Sequence, residues 1–267
     1  LKLLVWDTSS KSGAIAALDC PDLDAESRPE WERVRLVNEW SLNVDSQHAE
    51  RLLWGIHQVL ESARWKLADV DVFAVGTGPG SFTGLRIGVT TARTLAHSLG
   101  KPLIGVSSLA ALARPAALWL SSVKSLRDVC VIAATDAAKG ELFFHWGAAK
   151  AVAKSSTLPW PKGVQEAVVD PGTWASSLPK TALRNGWVAV GEGRNRYPEA
   201  WKKLSPKLRI ELPLAFSDQV QGRYLGMLAW DAWLAERSEP ALSVYPRYLR
   251  ASDAEVKLKA GLLKLAP

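Results

Sequence analysis

At 267 residues the chain has room for one large domain or two of medium size, and 48% hydrophobic with 22% charged residues is the composition of a globular protein. That composition excludes a disordered, collagen-like or disulfide-stapled chain, and two cysteines, Cys20 and Cys130, are too few for a disulfide framework or a clustered zinc site. The net charge of +6 is unevenly divided, since residues 1–110 hold 11 basic and 13 acidic side chains and the remainder 22 and 14.

Apolar runs are too short to cross a bilayer: Leu3 to Trp6 ends at Asp7, and Ala110 to Leu120 is interrupted by Arg114 and Pro115. There is no long apolar stretch of the secretory kind, so no membrane association and a reducing cytoplasm are expected.

The chain opens as strand, turn, strand: Leu3 to Trp6 is apolar, Thr8 to Gly13 is a polar turn, and Ala14 to Leu18 is apolar again. An acidic loop, Asp19 to Glu32, precedes a third antiparallel strand over Val34 to Trp40. Asp45 or Ser46 caps a helix in which Leu52, Leu53, Ile56, Val59, Leu60 and Ala63 recur at helical spacing. Asp71 to Gly76 is a buried strand, and a glycine-rich turn then opens a second helix to about Leu99, stopped by Gly100. Leu103 to Val106 is a strand, and Ser107 or Ser108 caps a third helix to about Leu120. After a linker around Ser121 to Arg127 the hairpin pattern recurs: strand Val129 to Ala134, turn Asp136 to Gly140, strand Leu142 to Trp146. Residues 147–185 resist assignment; Trp187 to Val190 is a strand and Tyr224 to Ala235 a helix. Two halves that each open with an aspartate-bearing hairpin point to an α/β architecture used twice, divided as residues 1–122 and 123–267.

Two stretches carry chemical information. Lys180 to Arg209 holds eight Lys and Arg against Glu192 and Glu199, which suits either a polyanion such as tRNA or a solvated lysine-rich surface. GTGPGSFTGLRIG, Gly76 to Gly88, places five glycines and a proline between a strand and a helix. Such glycines permit a sharp turn and close approach, and the helix N-terminus offers amides to an anion. The spacing matches neither the dinucleotide fingerprint nor a P-loop, because Ser81 stands at the third glycine and no Gly-Lys-Ser/Thr triplet exists. Tight packing and phosphate binding both remain open at this point. No GxSxG elbow surrounds any serine.

The longer stretch Gly76 to Ala96, GTGPGSFTGLRIGVTTARTLA, resembles the signature of the TsaB (YeaZ) family, which serves bacterial synthesis of the tRNA modification threonylcarbamoyladenosine (t6A). Leu3 to Ser9 (LLVWDTS), Ser46 to Leu53 (SQHAERLL), Lys101 to Leu109 (KPLIGVSSL), Ala133 to Glu141 (AATDAAKGE) and Pro246 to Arg250 (PRYLR) match in order.

The resemblance implies a two-lobed fold of the actin, Hsp70 and sugar-kinase superfamily, each lobe a mixed sheet with a leading β-hairpin and flanking helices. Active superfamily members hold nucleotide in the cleft, so Asp7, Gly78, Gly80 and Asp136 are candidate nucleotide contacts; for the two aspartates the competing reading is a turn carboxylate bonding its own backbone. The catalytic relative TsaD carries two metal-binding histidines four apart on a helix, where this chain has Ser108 and Leu112. The four histidines here, His48, His57, His97 and His145, form no such pair, so no catalytic or metal-binding residue and no cofactor on the isolated chain is expected. The resemblance further implies a noncatalytic partner of TsaD, working with TsaE and ATP on ANN-decoding tRNA. ATP or ADP would then belong to a complex interface, and the free chain would be a homodimer. The interface residues it suggests are Arg51, Leu52, Gly84, Leu85, Gly88 and Ala92, although a glycine stripe equally suits packing on its own sheet. The alternatives are an active kinase of the superfamily, a glycoprotease-like metallohydrolase, or a tRNA-binding module.

Overall fold

A computed structural model describes residues 1–20, 34–43, 48–154, 160–178, 182–202, 204, 206–210, 212 and 218–250. Two mixed sheets form the frame. The first has the order β3-β2-β1-β4-β5, built from β1 (Lys2–Asp7), β2 (Ser12–Asp19), β3 (Arg35–Asn43), β4 (Val72–Gly78) and β5 (Leu103–Ser107). β1 pairs antiparallel with β2 and parallel with β4, so the leading hairpin is joined to a parallel half. Between its strands lie α1 (His48–Ala63) and α2 (Phe82–Ser98), and α3 (Ser108–Ser122) follows β5 directly. The proposed α1 caps, Asp45 and Ser46, lie outside the described residues. For α3 the cap is Ser107, whose hydroxyl accepts from the Ala110 amide.

The second sheet, β8-β7-β6-β9, repeats the plan with β6 (Cys130–Asp136), β7 (Leu142–Ala148), β8 (Gln165–Val169) and β9 (Trp187–Val190). Its short helices are α4 (Ala149–Val152), α5 (Trp174–Ser177), α6 (Gly193–Arg196) and α7 (Pro198–Trp201), followed by the longer α8 (Gly222–Leu234). The stretch 147–185 that resisted assignment thus contains α4, β8 and α5; each is only four or five residues long, too short to show a period. This is the arrangement the resemblance implied: two mixed sheets, each opened by a hairpin and flanked by helices.

Strand alternation sorts side chains onto opposite faces. Leu4, Trp6, Ile15, Phe73 and Val75 pack under α1 and α2, whereas Leu3, Val5, Leu18 and Ala74 join α3, α8 and the facing residues Val131 and Ala133 of β6. The second of these clusters runs without a break from one sheet to the other, with α3 buried in its middle. Arg114 lies inside α3 and is almost fully buried; its Nη2 is 2.6 Å from Asp231 of α8, and Nη1 donates to the Ala153 carbonyl. α8 returns to the first sheet: Arg223 at its start donates from its backbone to Glu39 of β3 at 2.9 Å and forms a 2.6 Å ion pair with the same carboxylate. Four aromatic rings, Phe144, Trp174, Trp201 and Trp187, run tilted or stacked at 4.8–6.3 Å through the outer core of the second sheet. They account for part of the high tryptophan content as core volume.

Candidate functional site

The glycine-rich signature is a packing device for the turn that ends β1. A β-carbon at Gly84 would lie 2.0 Å from the Thr8 carbonyl oxygen, and one at Gly88 would lie 2.1 Å from Thr8 Oγ1. With those atoms absent, α2 settles directly on the hairpin: Thr8 Oγ1 donates to the Gly84 carbonyl at 2.7 Å and Trp6 Nε1 to the Gly88 carbonyl at 3.0 Å. Three amides of this turn are engaged within the chain. Gly78 N donates to Ser108 Oγ, Ser81 N to the Ser9 carbonyl, and Gly84 N to the capping Ser81 hydroxyl. The Gly78 amide is thus taken by Ser108, and a β-carbon at Gly80 would lie 2.2 Å from the Ser9 carbonyl oxygen, so both glycines serve close packing of the turn.

Asp7 is fully buried. Its Oδ1 accepts from the amide and hydroxyl of Ser9 at 2.9 and 2.6 Å, and its Oδ2 accepts from Ser108 Oγ at 2.5 Å. Burial pushes this carboxyl above the ordinary range, with the three donors pulling against it. The aspartate faces inward rather than toward a ligand. The metal-site positions of the catalytic relative are likewise used in other ways: Ser108 holds Asp7, and Leu112 packs where a β-carbon on Gly191 would meet it at 2.9 Å. These residues do not fit a metal ion, and among the described residues no group of three or more His, Cys, Asp or Glu could hold one. Cys20 and Cys130 are buried, free, and pushed up to about 12 by desolvation, which makes them unreactive.

Asp136, the counterpart aspartate of the second hairpin, accepts from the Ala138 amide at 2.9 Å and the Tyr197 hydroxyl at 3.0 Å, and pairs with Arg196 Nε at 3.1 Å. It borders the cleft between the two hairpin turns, lined among others by Ser10, Lys11, Gly80, Leu112 and Asp218. That cleft measures only about 110 Å³, below the roughly 300–1,000 Å³ of ordinary ligand pockets. Within the basic stretch 180–209, Arg194 pairs with Asp218, Arg196 with Asp136 and Lys202 with Glu199, so part of its charge is balanced locally. Lys180 and Lys203 lie outside the described residues.

The suggested interface residues divide. Leu52, Gly84, Leu85, Gly88 and Ala92 are all buried within the chain, and the stripe that was to admit a partner helix is filled by Thr8 instead. At Gly84 and Gly88 the close approach that small residues permit is made to the chain's own hairpin. Arg51 is exposed. Next to it on α1 are two large apolar side chains that the sequence argument placed in the core or passed over, Leu53 and Trp54, 54% and 53% exposed. Trp54 leans on Trp40 of β3 with ring centroids 5.2 Å apart. Leu53 fits the helical period as well as Leu52 does, so periodicity alone cannot tell the outer flank of the stripe from the inner.

Sequence reasoning also missed a buried polar cluster where the outer strands of the two sheets meet. Ser107 at the end of β5 donates to Glu166 Oε1 of β8 at 2.6 Å, and Arg247 Nη1 lies 2.7 Å from Glu166 Oε2. His145 is beside them, fully buried, with Nδ1 3.7 Å from Glu166; burial first and Arg247 second push its pKa down to about 3. The strap carrying Arg247 corresponds to the PRYLR match, yet nothing in its pattern announces a partner 81 residues away.

The chain is similar to known proteins over nearly its whole length. A family model described as "TsaD: tRNA N6-adenosine threonylcarbamoyltransferase" matches residues 43–257. The tRNA threonylcarbamoyladenosine biosynthesis protein TsaB of Escherichia coli K12 is 32% identical over 240 residues, covering 84% of this chain and 92% of that protein. The protein of the same name from Haemophilus influenzae is 30% identical over 253 residues, 94% of each chain. Among solved structures, YeaZ from Pseudomonas aeruginosa aligns with a TM-score of 0.64 at 26% identity, over 92% of this chain and all of that one. Taken with the paired hairpin-led sheets and the signature packed on Thr8, these matches show that the chain belongs to the TsaB (YeaZ) family of tRNA threonylcarbamoyladenosine biosynthesis proteins.

Proposed function

We propose that the chain is a noncatalytic subunit that binds TsaD and supports transfer of a threonylcarbamoyl group to an adenosine of ANN-decoding tRNA. One observation carries this reading. The positions that would furnish metal ligands in a catalytic relative are Ser108, bonded to a buried Asp7, and Leu112, packed against the second lobe. A chain that keeps both lobes while turning those positions inward is built to be a partner. The reading places it in the cytoplasm, carrying no cofactor of its own, with TsaE and ATP joining in the complex and tRNA reached through it. Nucleotide would sit at a complex interface.

The contact surface in this reading is the outward side of α1, where Arg51, Leu53 and Trp54 form an exposed patch on a well-supported helix. The free chain uses the same patch to form a homodimer and exchanges it for TsaD. Leu53→Asp and Trp54→Asp should weaken TsaD binding at least tenfold by titration calorimetry while leaving the circular dichroism spectrum unchanged. The function is tested by reconstitution with TsaD, TsaE, threonylcarbamoyl-AMP and tRNA, reading t6A by nucleoside mass spectrometry. Modification should require this chain over repeated turnovers, and full modification in its absence would overturn the assignment.

A further inference from the structure

α2 has α1 as one neighbour and the strap that follows α8 as another. The strap is anchored by Val244, which is buried where a β-carbon on Gly105 of β5 would meet it at 3.2 Å. Two arginines of α2, seven residues apart, are each held by a tyrosine of the strap. Arg86 donates through Nε to the Tyr248 hydroxyl at 3.3 Å and stands 4.0 Å from the Phe82 ring centroid. Arg93 stands 4.5 Å over the Tyr245 ring and donates through Nη2 to the Leu242 carbonyl at 2.9 Å. All of these partners are neutral, so they fix the two guanidinium groups without cancelling their charge. The segments themselves add no counter-charge, since neither α2 nor Leu242 to Tyr248 contains an Asp or Glu. Arg247, also on the strap, differs in that Glu166 balances it. Two turns of helix set Arg86 and Arg93 about 10.5 Å apart along α2. Thr90 is exposed between them on the same side. Beside Arg93, Leu242 and Tyr245 are 48% and 61% exposed.

Exposed leucine and tyrosine beside oriented arginines is the composition of a protein contact, where Tyr and Arg are enriched and a guanidinium pairs with a carboxylate through two parallel N–H bonds. We propose that the face made by α2 and the strap docks an acidic helix of a partner protein. Carboxylates two turns apart on that helix pair with Arg86 and Arg93, and its apolar side chains rest on Leu242 and Tyr245. A second copy of this chain does not fit, because a two-fold contact sets a patch against itself and would bring arginine to arginine with no acid between them. A phosphate backbone does not suit the face either, since its two unbalanced cations are set among apolar side chains and no lysine accompanies them. The inference rests on the reading of the chain as a partner of TsaD and deepens it. The α1 patch serves either occupant, and the α2 and strap face selects an acidic heterologous partner over a second copy.

The test uses the full chain, with TsaD binding read by titration calorimetry across a salt series and self-association by sedimentation equilibrium. Arg86→Glu combined with Arg93→Glu should weaken TsaD binding about tenfold and flatten its salt dependence, without weakening self-association. Those changes also remove contacts that hold the strap, so Thr90→Glu is the second probe. It sets a carboxylate between the two guanidinium groups, leaves their own contacts in place, and should weaken TsaD binding about threefold. Thr90→Gln, of the same size without the charge, should retain wild-type affinity. Lys207→Glu, exposed and on neither element, should change nothing. Wild-type affinity for TsaD in Thr90→Glu would overturn the proposal and leave the subunit reading standing. Equal loss of TsaD binding and self-association would do the same, because the face would then not discriminate. If the double variant kept its affinity for TsaD and lost binding to fluorescein-labelled tRNA, the face would belong to RNA and the proposal would fall. Failure of the wild-type chain to bind TsaD would remove the subunit reading and this inference with it.

Discussion

Ser108 Oγ donates a 2.5 Å hydrogen bond to Asp7 Oδ2, joining the first residue of α3 to the last residue of β1 across 101 positions of sequence. Ser108 Oγ in turn accepts from the Gly78 amide at 3.1 Å, so one hydroxyl connects the ends of β1 and β4 to α3. A β-carbon at Gly76 would lie 1.8 Å from the same carboxylate oxygen, which keeps solvent and ligands from that side.

Removing the donor should expose the cost of that closure. Ser108→Ala leaves a buried carboxyl short of one partner and should destabilise the chain by about 1–3 kcal/mol in urea denaturation. Asp7→Asn, which preserves shape and most hydrogen bonds, should cost less than Asp7→Ala. Equal stability of Ser108→Ala and wild type would mean that the bond contributes nothing to the fold.

The signature glycines should behave as core positions. Gly84→Ala and Gly88→Ala place a methyl group about 2 Å from Thr8, and overpacking of this kind costs roughly 1–3 kcal/mol. Thr90→Ala, exposed on the same helix, should change stability by no more than about 0.5 kcal/mol. Thermal unfolding followed by circular dichroism compares the three; parity between the glycine variants and Thr90→Ala would refute the packing role.

His145 should make the fold acid-sensitive. Its pKa is held down to about 3 against 6.5 when unfolded, so the unfolded chain binds the extra proton between these values. The associated stability is present above pH 6.5 and lost as pH falls, amounting to about 2 kcal/mol by pH 5. Asp231 acts in the opposite sense: burial raises it to about 6, so its contribution is present below pH 3.8 and lost as pH rises through 6. His145→Leu removes the first effect and keeps the second. Its stability relative to wild type should therefore rise by about 2 kcal/mol between pH 7.5 and pH 5, measured by urea denaturation at each pH.

The buried Arg114–Asp231 pair links α3 to α8 at 2.6 Å. Asp231→Ala removes the carboxylate from a guanidinium that is almost fully buried and should cost roughly 3 kcal/mol. Replacing both, as Arg114→Leu with Asp231→Ala, should recover much of that loss, because the charge is removed with its partner. A double variant less stable than Asp231→Ala would show that Arg114 matters chiefly for its other contacts.

Much of the fold was legible from local pattern. The continuous apolar runs Leu3 to Trp6 and Ala14 to Leu18, the helical spacing of Leu52, Ile56, Val59 and Leu60, and a serine cap at Ser107 or Ser108 each encode a short-range preference, and the structure realises all three, with Ser107 as the cap. The family was legible too, because Gly76 to Ala96 is long and ordered enough to be specific. Sequence also established that Ser108 and Leu112 cannot supply a pair of imidazole ligands, since that depends on residue type alone.

What tertiary structure decided was the direction each residue faces. Gly84, Gly88 and Ala92 form a stripe under either reading of the sequence, and only the approach of Thr8, just after β1, shows that the stripe is filled from within at Gly84 and Gly88. Leu52 and Leu53 are neighbours of one residue type, one buried and one more than half exposed, because the sheet covers one side of α1 and nothing among the described residues covers the other. His145 and Glu166 face each other across β7 and β8, and Ser107 of the other sheet and Arg247 of the strap reach Glu166 only because the fold packs them against that strand. Local preference is set within a few residues and can be read from them, whereas burial and pairing are set by which surfaces the completed fold brings into contact.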